Sequence, residues 1–147
     1  MNIRPVLTKA DLNAFIELPC RLYRNDPVWV QPLRSEVRGQ FNPKLNPTLD
    51  HCEYALFLLE DGSRSIGRVA AFVDRLAVDF WKEPVGLFGY YECIPDGRAS
   101  KMLLDTAAGW LKERGMKSMR GPWTFVSQEW GLVIEGFTPP PVIMAPS

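Results

Sequence analysis

Glu92 stands in an otherwise mostly apolar stretch, Val85 to Ile94, with Tyr90 two positions before it and Tyr91 beside it. In a strand this stretch places Phe88, Tyr90, Glu92 and Ile94 on one face and Leu87, Gly89, Tyr91 and Cys93 on the other. A carboxylate among aromatic rings loses part of the hydration of its charged form, which raises its pKa and suits it to accept a proton near neutral pH. A phenol close by can return one. General acid–base chemistry is the reactive reading of the trio. The plain reading makes Glu92 a solvated strand carboxylate and the two tyrosines core or sheet surface.

Other reactive side chains are poorly placed. His51 and Cys52 are neighbours, but consecutive side chains of a strand point to opposite faces, and no third group is at hand to orient the imidazole, so a thiol enzyme is not expected. Cys20, Cys52 and Cys93 form no CxxC pair and lie near no histidine cluster, which predicts neither a disulfide nor a metal site. Gly86 and Gly89, three apart within a strand, mark close backbone approach or a bulge rather than a phosphate loop.

Charge removes further classes. The 147 residues carry 17 Lys and Arg against 17 Asp and Glu, so neither nucleic acid nor an anionic membrane is an expected partner. Without a basic excess, most of the tryptophans at 29, 81, 110, 123 and 130 read as core or interface rather than as a stacked nucleic-acid site. Lys9, Asp11 and Glu17 interrupt any leader-like core, and no run reaches the roughly 18 apolar residues of a membrane span. A cytoplasmic protein with one self-sufficient core is the expectation.

The elements that must position these groups follow from local chemistry. Ile3 to Leu7 reads as a first strand, and Thr8 with Asp11 three positions on is a capping box opening a helix. Leu12, Phe15, Ile16, Pro19, Leu22 and Tyr23 recur at helical spacing, with Pro19 expected to split the element into two short helices. Pro32 suits the first position of a further helix bearing Leu33, Val37 and Phe41. Glu53 to Glu60 and Ile66 to Asp74, separated by Asp61-Gly62, form a hairpin. Val85 to Ile94 is a strand closed by Pro95. Asp96 then caps an amphipathic helix through Leu103, Leu104, Ala107, Ala108 and Leu111, which ends at Gly115. Lys117 to Trp123 returns as a strand parallel to its predecessor through a right-handed crossover. Phe125 to Glu135 is a short helix or irregular. Pro139, Pro140 and Pro141 precede a last apolar strand at Val142, Ile143 and Met144.

This order resembles the GNAT superfamily of acyl-CoA-dependent N-acetyltransferases. Two local segments add to it: Phe15-Ile16-Glu17-Leu18-Pro19 with Arg21-Leu22-Tyr23, Asp26-Pro27-Val28-Trp29-Val30 and Pro32-Leu33, and then Glu113-Arg114-Gly115-Met116 with Arg120-Gly121-Pro122, Gly131-Leu132, Gly136-Phe137 and Pro139-Pro140. These resemble the amino-terminal part of a little-characterised family of bacterial GNAT-like proteins whose members generally continue into a second half. The resemblance implies an α/β fold with a central mixed sheet flanked by helices, truncated at the C-terminal end, as one domain over residues 1–147 with a proline-rich tail from 136.

It also implies acetyl-CoA as cosubstrate and a small amine as acceptor. The fourth strand would splay from the fifth to admit the pantetheine arm, placing Cys93, Ile94, Gly97, Arg98, Ala99, Ser100 and Lys101 along the acyl carrier, with Glu92 as the base toward the amine and Tyr90 or Tyr91 as the acid toward the thiolate. The superfamily's pyrophosphate loop carries a Gln or Arg followed by two glycine or small positions at fixed spacing. Here Ile94 to Lys101 has one glycine and no second small pair at that spacing, and Asp96 puts a carboxylate beside the same amides. A noncatalytic GNAT-like domain that forms a homodimer through residues 136–147 is therefore the alternative expectation.

Overall fold

The computed structural model describes residues 1–126 together with residues 132 and 135. The expected strand at Val142, Ile143 and Met144, the dimerising tail from 136, Trp130 and most of the segment between Phe125 and Glu135 lie outside the described residues.

The chain runs through strand β1 (Asn2–Pro5), helix α1 (Lys9–Leu22), helix α2 (Arg34–Gln40), a 3-10 turn (Pro47–Asp50), β2 (Cys52–Asp61), β3 (Arg64–Asp74), α3 (Arg75–Trp81), β4 (Val85–Cys93), α4 (Gly97–Glu113) and β5 (Ser118–Arg120). The five strands lie in one sheet in sequence order. The pairs are antiparallel from β1 to β4, and β4 and β5 are parallel. This is the mixed α/β sheet that the element order predicts, with the β2–β3 hairpin turning at Gly62 in the left-handed region, φ 60°.

Two apolar layers flank the sheet. Phe15 and Ile16 of α1 join Phe41, Leu56, Leu58, Ala70, Phe72, Tyr90 and Phe125 on one face. Ala99, Leu103, Ala107 and Leu111 of α4 cover Leu59, Ile66, Val69, Ala71 and Val73 on the other. Nine consecutive residues of β3, Ser65 to Val73, are buried, as befits a strand covered on both sides.

Helix α1 begins as its capping box requires: the Thr8 hydroxyl accepts from the Asp11 amide and the Asp11 carboxylate accepts from Thr8. The expected split at Pro19 does not occur; α1 is one helix of 14 residues. Proline at position 19 removes the amide that would bond the carbonyl of Phe15, and the vacant acceptor is taken across the core by the Arg68 guanidinium, Nη1 to O 2.7 Å. Pro32 likewise precedes the helix it was expected to start, because Leu33 is the cap and Arg34 the first residue of α2. The connection after Asp74 is itself helical, since the Asp74 carboxylate accepts from the Ala77 amide and opens α3. Trp81 on this helix is 68% exposed and so is neither core nor a described interface.

The expected face assignment of β4 also needs correction. Gly89 pairs with Ala70 but Glu92 pairs with Arg68, so three steps on β4 match two on β3. The extra residue is a bulge, with Tyr90 at φ 48°. It inverts the alternation: Phe88 packs toward α4, whereas Tyr90 packs with Phe15 and Phe41 toward α1. Phe88 therefore does not share a face with Tyr90 and Glu92. The two glycines before the bulge are sites of close approach. A Cβ on Gly86 would lie 2.4 Å from Leu111, and one on Gly89 only 1.4 Å from the carbonyl oxygen of Trp123. That second contact involves backbone, which cannot rotate away. Gly89→Ala is expected to cost about 3 kcal/mol or more, read as a lowered urea midpoint at an unchanged slope; a shift below about 1 kcal/mol contradicts the packing.

Candidate functional site

The site grows from one buried cation. Arg68 lies in the middle of the apolar β3 strand with only 6% of its surface exposed. Burying a guanidinium is costly unless each side of it meets a polar or π partner. Its Nη1 donates to the Phe15 carbonyl, its plane stands 4.9 Å from the Phe15 ring centre, and its Nη2 lies 3.9 Å from Oε1 of Glu92. Glu92 is Arg68's partner across the β3–β4 pairing, so the sheet register itself delivers the carboxylate. The other oxygen, Oε2, accepts from the Tyr23 hydroxyl at 2.5 Å. Tyr23 is the C-cap of α1, held by its amide to the Pro19 carbonyl, and its ring packs 5.4 Å from Trp29. Burial, and next the bond to Glu92, push the Tyr23 phenol well above its ordinary value, so it stays a neutral donor.

Glu92 thus sits among charged and hydrogen-bonding groups rather than the apolar rings that the strand alternation suggested. With Arg68, Tyr90 and Gln40 it lines a cleft of about 260 Å³ under Ile16, Pro19, Trp29 and Val37. A more open cavity of about 470 Å³ adjoins it through Cys20 and Trp29, rimmed by Arg21, Arg24 and Arg34. Tyr90 is the inner wall. Its hydroxyl donates to Gln40 Oε1 and accepts from the Phe125 amide, and the residue is 6% exposed among aromatic rings.

The sequence-derived carrier residues gather on the opposite side of the sheet. Cys93 and Ile94 pack toward α4, the Ile94 amide bonds the Ile66 carbonyl, and Gly97, Arg98, Ala99, Ser100 and Lys101 form the first turn and a half of α4. Tyr91 reaches this side, its hydroxyl donating to Ser100 Oγ at 2.7 Å. Asp96 caps the helix by accepting the Ala99 amide at 2.8 Å, and Lys101 pairs with Asp105 at 2.5 Å. The cap leaves the amides of Gly97 and Arg98 as the helix-end donors, since helix geometry gives them no acceptor.

Between the two sides the sheet divides. β4 and β5 pair only from Val85 to Leu87 with Ser118 to Arg120. Past that point Trp123 donates to the Phe88 carbonyl, and the chain then dives to the α1 face, where Phe125 is buried. Among the described residues, no strand pairs with the outer edge of β4 from Tyr90 to Cys93.

A third cluster corrects the separation expected of His51 and Cys52. His51 ends the 3-10 turn at φ −116°, ψ 2° and is not in a strand. Its Nδ1 comes 2.9 Å from Asp74 Oδ1 and 3.9 Å from Cys52 Sγ. Burial, together with the Asp74 carboxylate, pushes the Cys52 thiol up to about 12, which disfavours a nucleophilic thiolate.

No protein-family model matches the chain. The geometry is nonetheless shared with solved structures. A GNAT-family acetyltransferase from Staphylococcus aureus superposes with TM-score 0.56 at 14% identity over 85% of this chain and 74% of that one. A predicted acetyltransferase with acetyl-CoA from Clostridium acetobutylicum gives 0.54 at 14% over 86% and 83%. The fold is that of the GNAT acetyltransferases. An aminoglycoside acetyltransferase from a soil metagenome, in complex with sisomicin, also shares the GNAT fold, at TM-score 0.54 and 14% identity over 86% of this chain and 80% of that one. In sequence the chain is 36% identical over 98% of its length to a bacterial ceramide synthase of Caulobacter vibrioides, and 36% identical over 98% to protein YghO of Escherichia coli. It spans 38% and 37% of those relatives' lengths.

Tyr23, Gln40 and Arg68 were absent from the sequence-derived site. Arg68 carried a readable signal, a charge in the middle of an apolar run of strand length. Removing it leaves Glu92 facing an empty place and the Phe15 carbonyl without its donor, so Arg68→Ala is expected to cost about 3–5 kcal/mol in chemical denaturation. Restoring an amide with Pro19→Ala gives that carbonyl a helical partner and should reduce the cost by about 1 kcal/mol; additivity of the two changes contradicts the assignment. The Tyr23 phenol, raised in the folded state, contributes stability that is intact below the unfolded value near 10 and lost as pH rises beyond it. Stability curves from pH 8 to 11 should therefore fall more steeply for the wild type than for Tyr23→Phe.

Proposed function

We propose that this chain carries the acyl-transfer fold of an acyl-CoA-dependent N-acyltransferase, moving an acyl group, acetyl in the simplest case, from the thioester to an amine. The observation that carries the reading is the β4 edge from Tyr90 to Cys93, beside Glu92, with which no strand among the described residues pairs. The cleft with Glu92 lies on the α1 side and the start of α4 on the other. The β4 edge from Tyr90 to Cys93, beyond the close passage of Trp123 at Gly89, is a route by which a slender carrier on one side meets an acceptor on the other. The related ceramide synthase supports the amide-forming direction, since a ceramide is the N-acyl derivative of a long-chain amino alcohol, and the aminoglycosides of the structural neighbour are amines too.

In this reading the amine binds under Trp29 and Pro19 and gives its proton to Glu92. Arg68 and Tyr23, one on each carboxylate oxygen, fix the orientation of that base and so favour reaction by alignment. The amine nitrogen bonds the thioester carbonyl carbon, the carbon–sulfur bond breaks, and the thiolate leaves. Cys93 and Ile94 flank the carrier, and Gly97, Arg98, Ala99, Ser100 and Lys101 meet its phosphates, chiefly through the amides of Gly97 and Arg98 and the Arg98 side chain. Tyr91, on the carrier side beside Ser100, takes the acid role toward the leaving sulfur in preference to Tyr90, whose hydroxyl is engaged by Gln40 and the Phe125 amide.

The Asp96 cap favours a second reading, a noncatalytic GNAT-like domain, because a carboxylate on the Ala99 amide competes with a phosphate for the same helix end. Titrating acetyl-CoA and a long-chain acyl-CoA into the full chain separates the two. A saturable rise in melting temperature, with CoA released when an amine is added, supports the transferase. Glu92→Gln should keep the thermal shift and lose about 100-fold or more of the release rate. Absence of any shift at millimolar ligand leaves the noncatalytic reading standing.

A further inference from the structure

The cluster at the far rim of the sheet is independent of the acyl-transfer site. Cys52 is the first residue of β2 and Asp74 the last of β3, and the two are register partners. Side chains of such a pair leave the sheet on the same side, with Cβ atoms roughly 4.5–5.5 Å apart. His51 is fixed beside them because its carbonyl accepts the Arg75 amide at 3.0 Å. The imidazole nitrogen, the thiol sulfur and a carboxylate oxygen then lie within 4.8 Å of one another.

Two arrangements use these three groups, and the geometry separates them. A nucleophile relay needs the thiol on one imidazole nitrogen and the carboxylate on the other. Here Nδ1 alone faces both partners, at 3.9 and 2.9 Å. Three donors converging on one point is instead what a tetrahedral ion requires. With metal–ligand bonds of about 2.0–2.3 Å, the edges of such a site are roughly 3.3–3.8 Å, so side-chain movements of about an ångström close it. The His51 and Asp74 side chains are 29% and 26% exposed, which gives an ion access and leaves a fourth position for water.

We propose that His51, Cys52 and Asp74 bind one divalent ion of the zinc class, through Nδ1, Sγ and a carboxylate oxygen. Nitrogen, sulfur and oxygen donors together select a borderline ion over magnesium or calcium. Binding forms three metal–ligand bonds. The Cys52 thiol proton passes to solvent, Asp74 enters as carboxylate, and His51 keeps its proton on Nε2. No oxidation state changes. The ion ties the end of the 3-10 turn to the start of α3, which Asp74 caps through the Ala77 amide.

Cobalt(II) added to the reduced full-length chain reports thiolate ligation directly, through a sulfur-to-metal charge-transfer absorption that zinc then displaces. One equivalent is expected, with a higher melting temperature. Cys20→Ser and Cys93→Ser should keep the band, while Cys52→Ser should abolish it. His51→Asn, altering a partly exposed side chain, should weaken cobalt binding by about tenfold or more, and it serves as the deciding variant should Cys52→Ser not fold. No charge-transfer band at millimolar cobalt overturns the assignment. So does a band that survives both His51→Asn and Cys52→Ser, or one that disappears with Cys20→Ser or Cys93→Ser.

Discussion

A buried guanidinium set between a helix carbonyl, an aromatic ring and a carboxylate holds the site together. Arg68 could not occupy the middle of β3 without acceptors, and a helix with every amide present would not offer one, because each carbonyl inside it is already engaged. Pro19 supplies the exception. By lacking an amide it releases the Phe15 carbonyl toward the sheet, and Arg68 takes it at 2.7 Å. Helix, strand and carboxylate are thereby locked in one arrangement: α1 is pinned to β3, β3 presents Glu92 through its register with β4, and Tyr23 closes the arrangement from the end of the same helix. A residue that would ordinarily break the helix is what allows the helix to anchor Arg68 and, through it, Glu92.

The bulge in β4 has a comparable reach. Regular alternation would put Phe88 and Glu92 on the same face and Tyr90 with them. One inserted residue lets Phe88 close the α4 layer while Tyr90 and Glu92 both turn to the α1 side. The left-handed backbone at Tyr90 is a strained conformation for a bulky side chain, of order 1–3 kcal/mol. Its hydroxyl bonds to Gln40 and Phe125 and its ring packing against Phe15, Phe41 and Phe125 hold it there. Gly89, immediately before it, lets the backbone leaving β5 pass so closely that no side chain fits.

What the sequence made legible is what local chemistry decides. The Thr8 capping box, the Asp61-Gly62 turn and the Asp96 cap are each settled within a few residues and stand in the structure as expected, and the stripe of α4 buries Leu103, Ala107 and Leu111 as expected but leaves Ala108 exposed. The misreadings have a common cause. α1 passes Pro19 without splitting, and the freed Phe15 carbonyl is answered 53 residues away by Arg68. The face of Phe88 depends on a bulge fixed by pairing with β3, not by the alternation of β4 itself. Strand alternation separates His51 from Cys52, whereas His51 closes the 3-10 turn outside the strand and its Nδ1 comes 3.9 Å from the Cys52 sulfur. Glu92 was visible as a lone carboxylate, but its partners Arg68 and Tyr23 meet it only through tertiary structure.

The helix that follows β4 shows a conflict between folding and ligand capture. An α-helix must satisfy the amides of its first turn, and a side-chain carboxylate at the cap does so within the chain, independent of any ligand. A glycine-rich loop leaves those amides open and depends on a bound anion to answer them. Asp96 commits α4 to the first solution for Ala99 while leaving Gly97 and Arg98 at the helix end, so an anion there meets two amides and a guanidinium but also a neighbouring negative charge. In the proposed transferase the opposing charge would weaken phosphate attraction and shift the burden of holding a carrier from its pyrophosphate to the strand edge between Tyr90 and Cys93. A carrier held mainly by its extended arm is selected more by the apolar and hydrogen-bonding fit of that arm than by its charge.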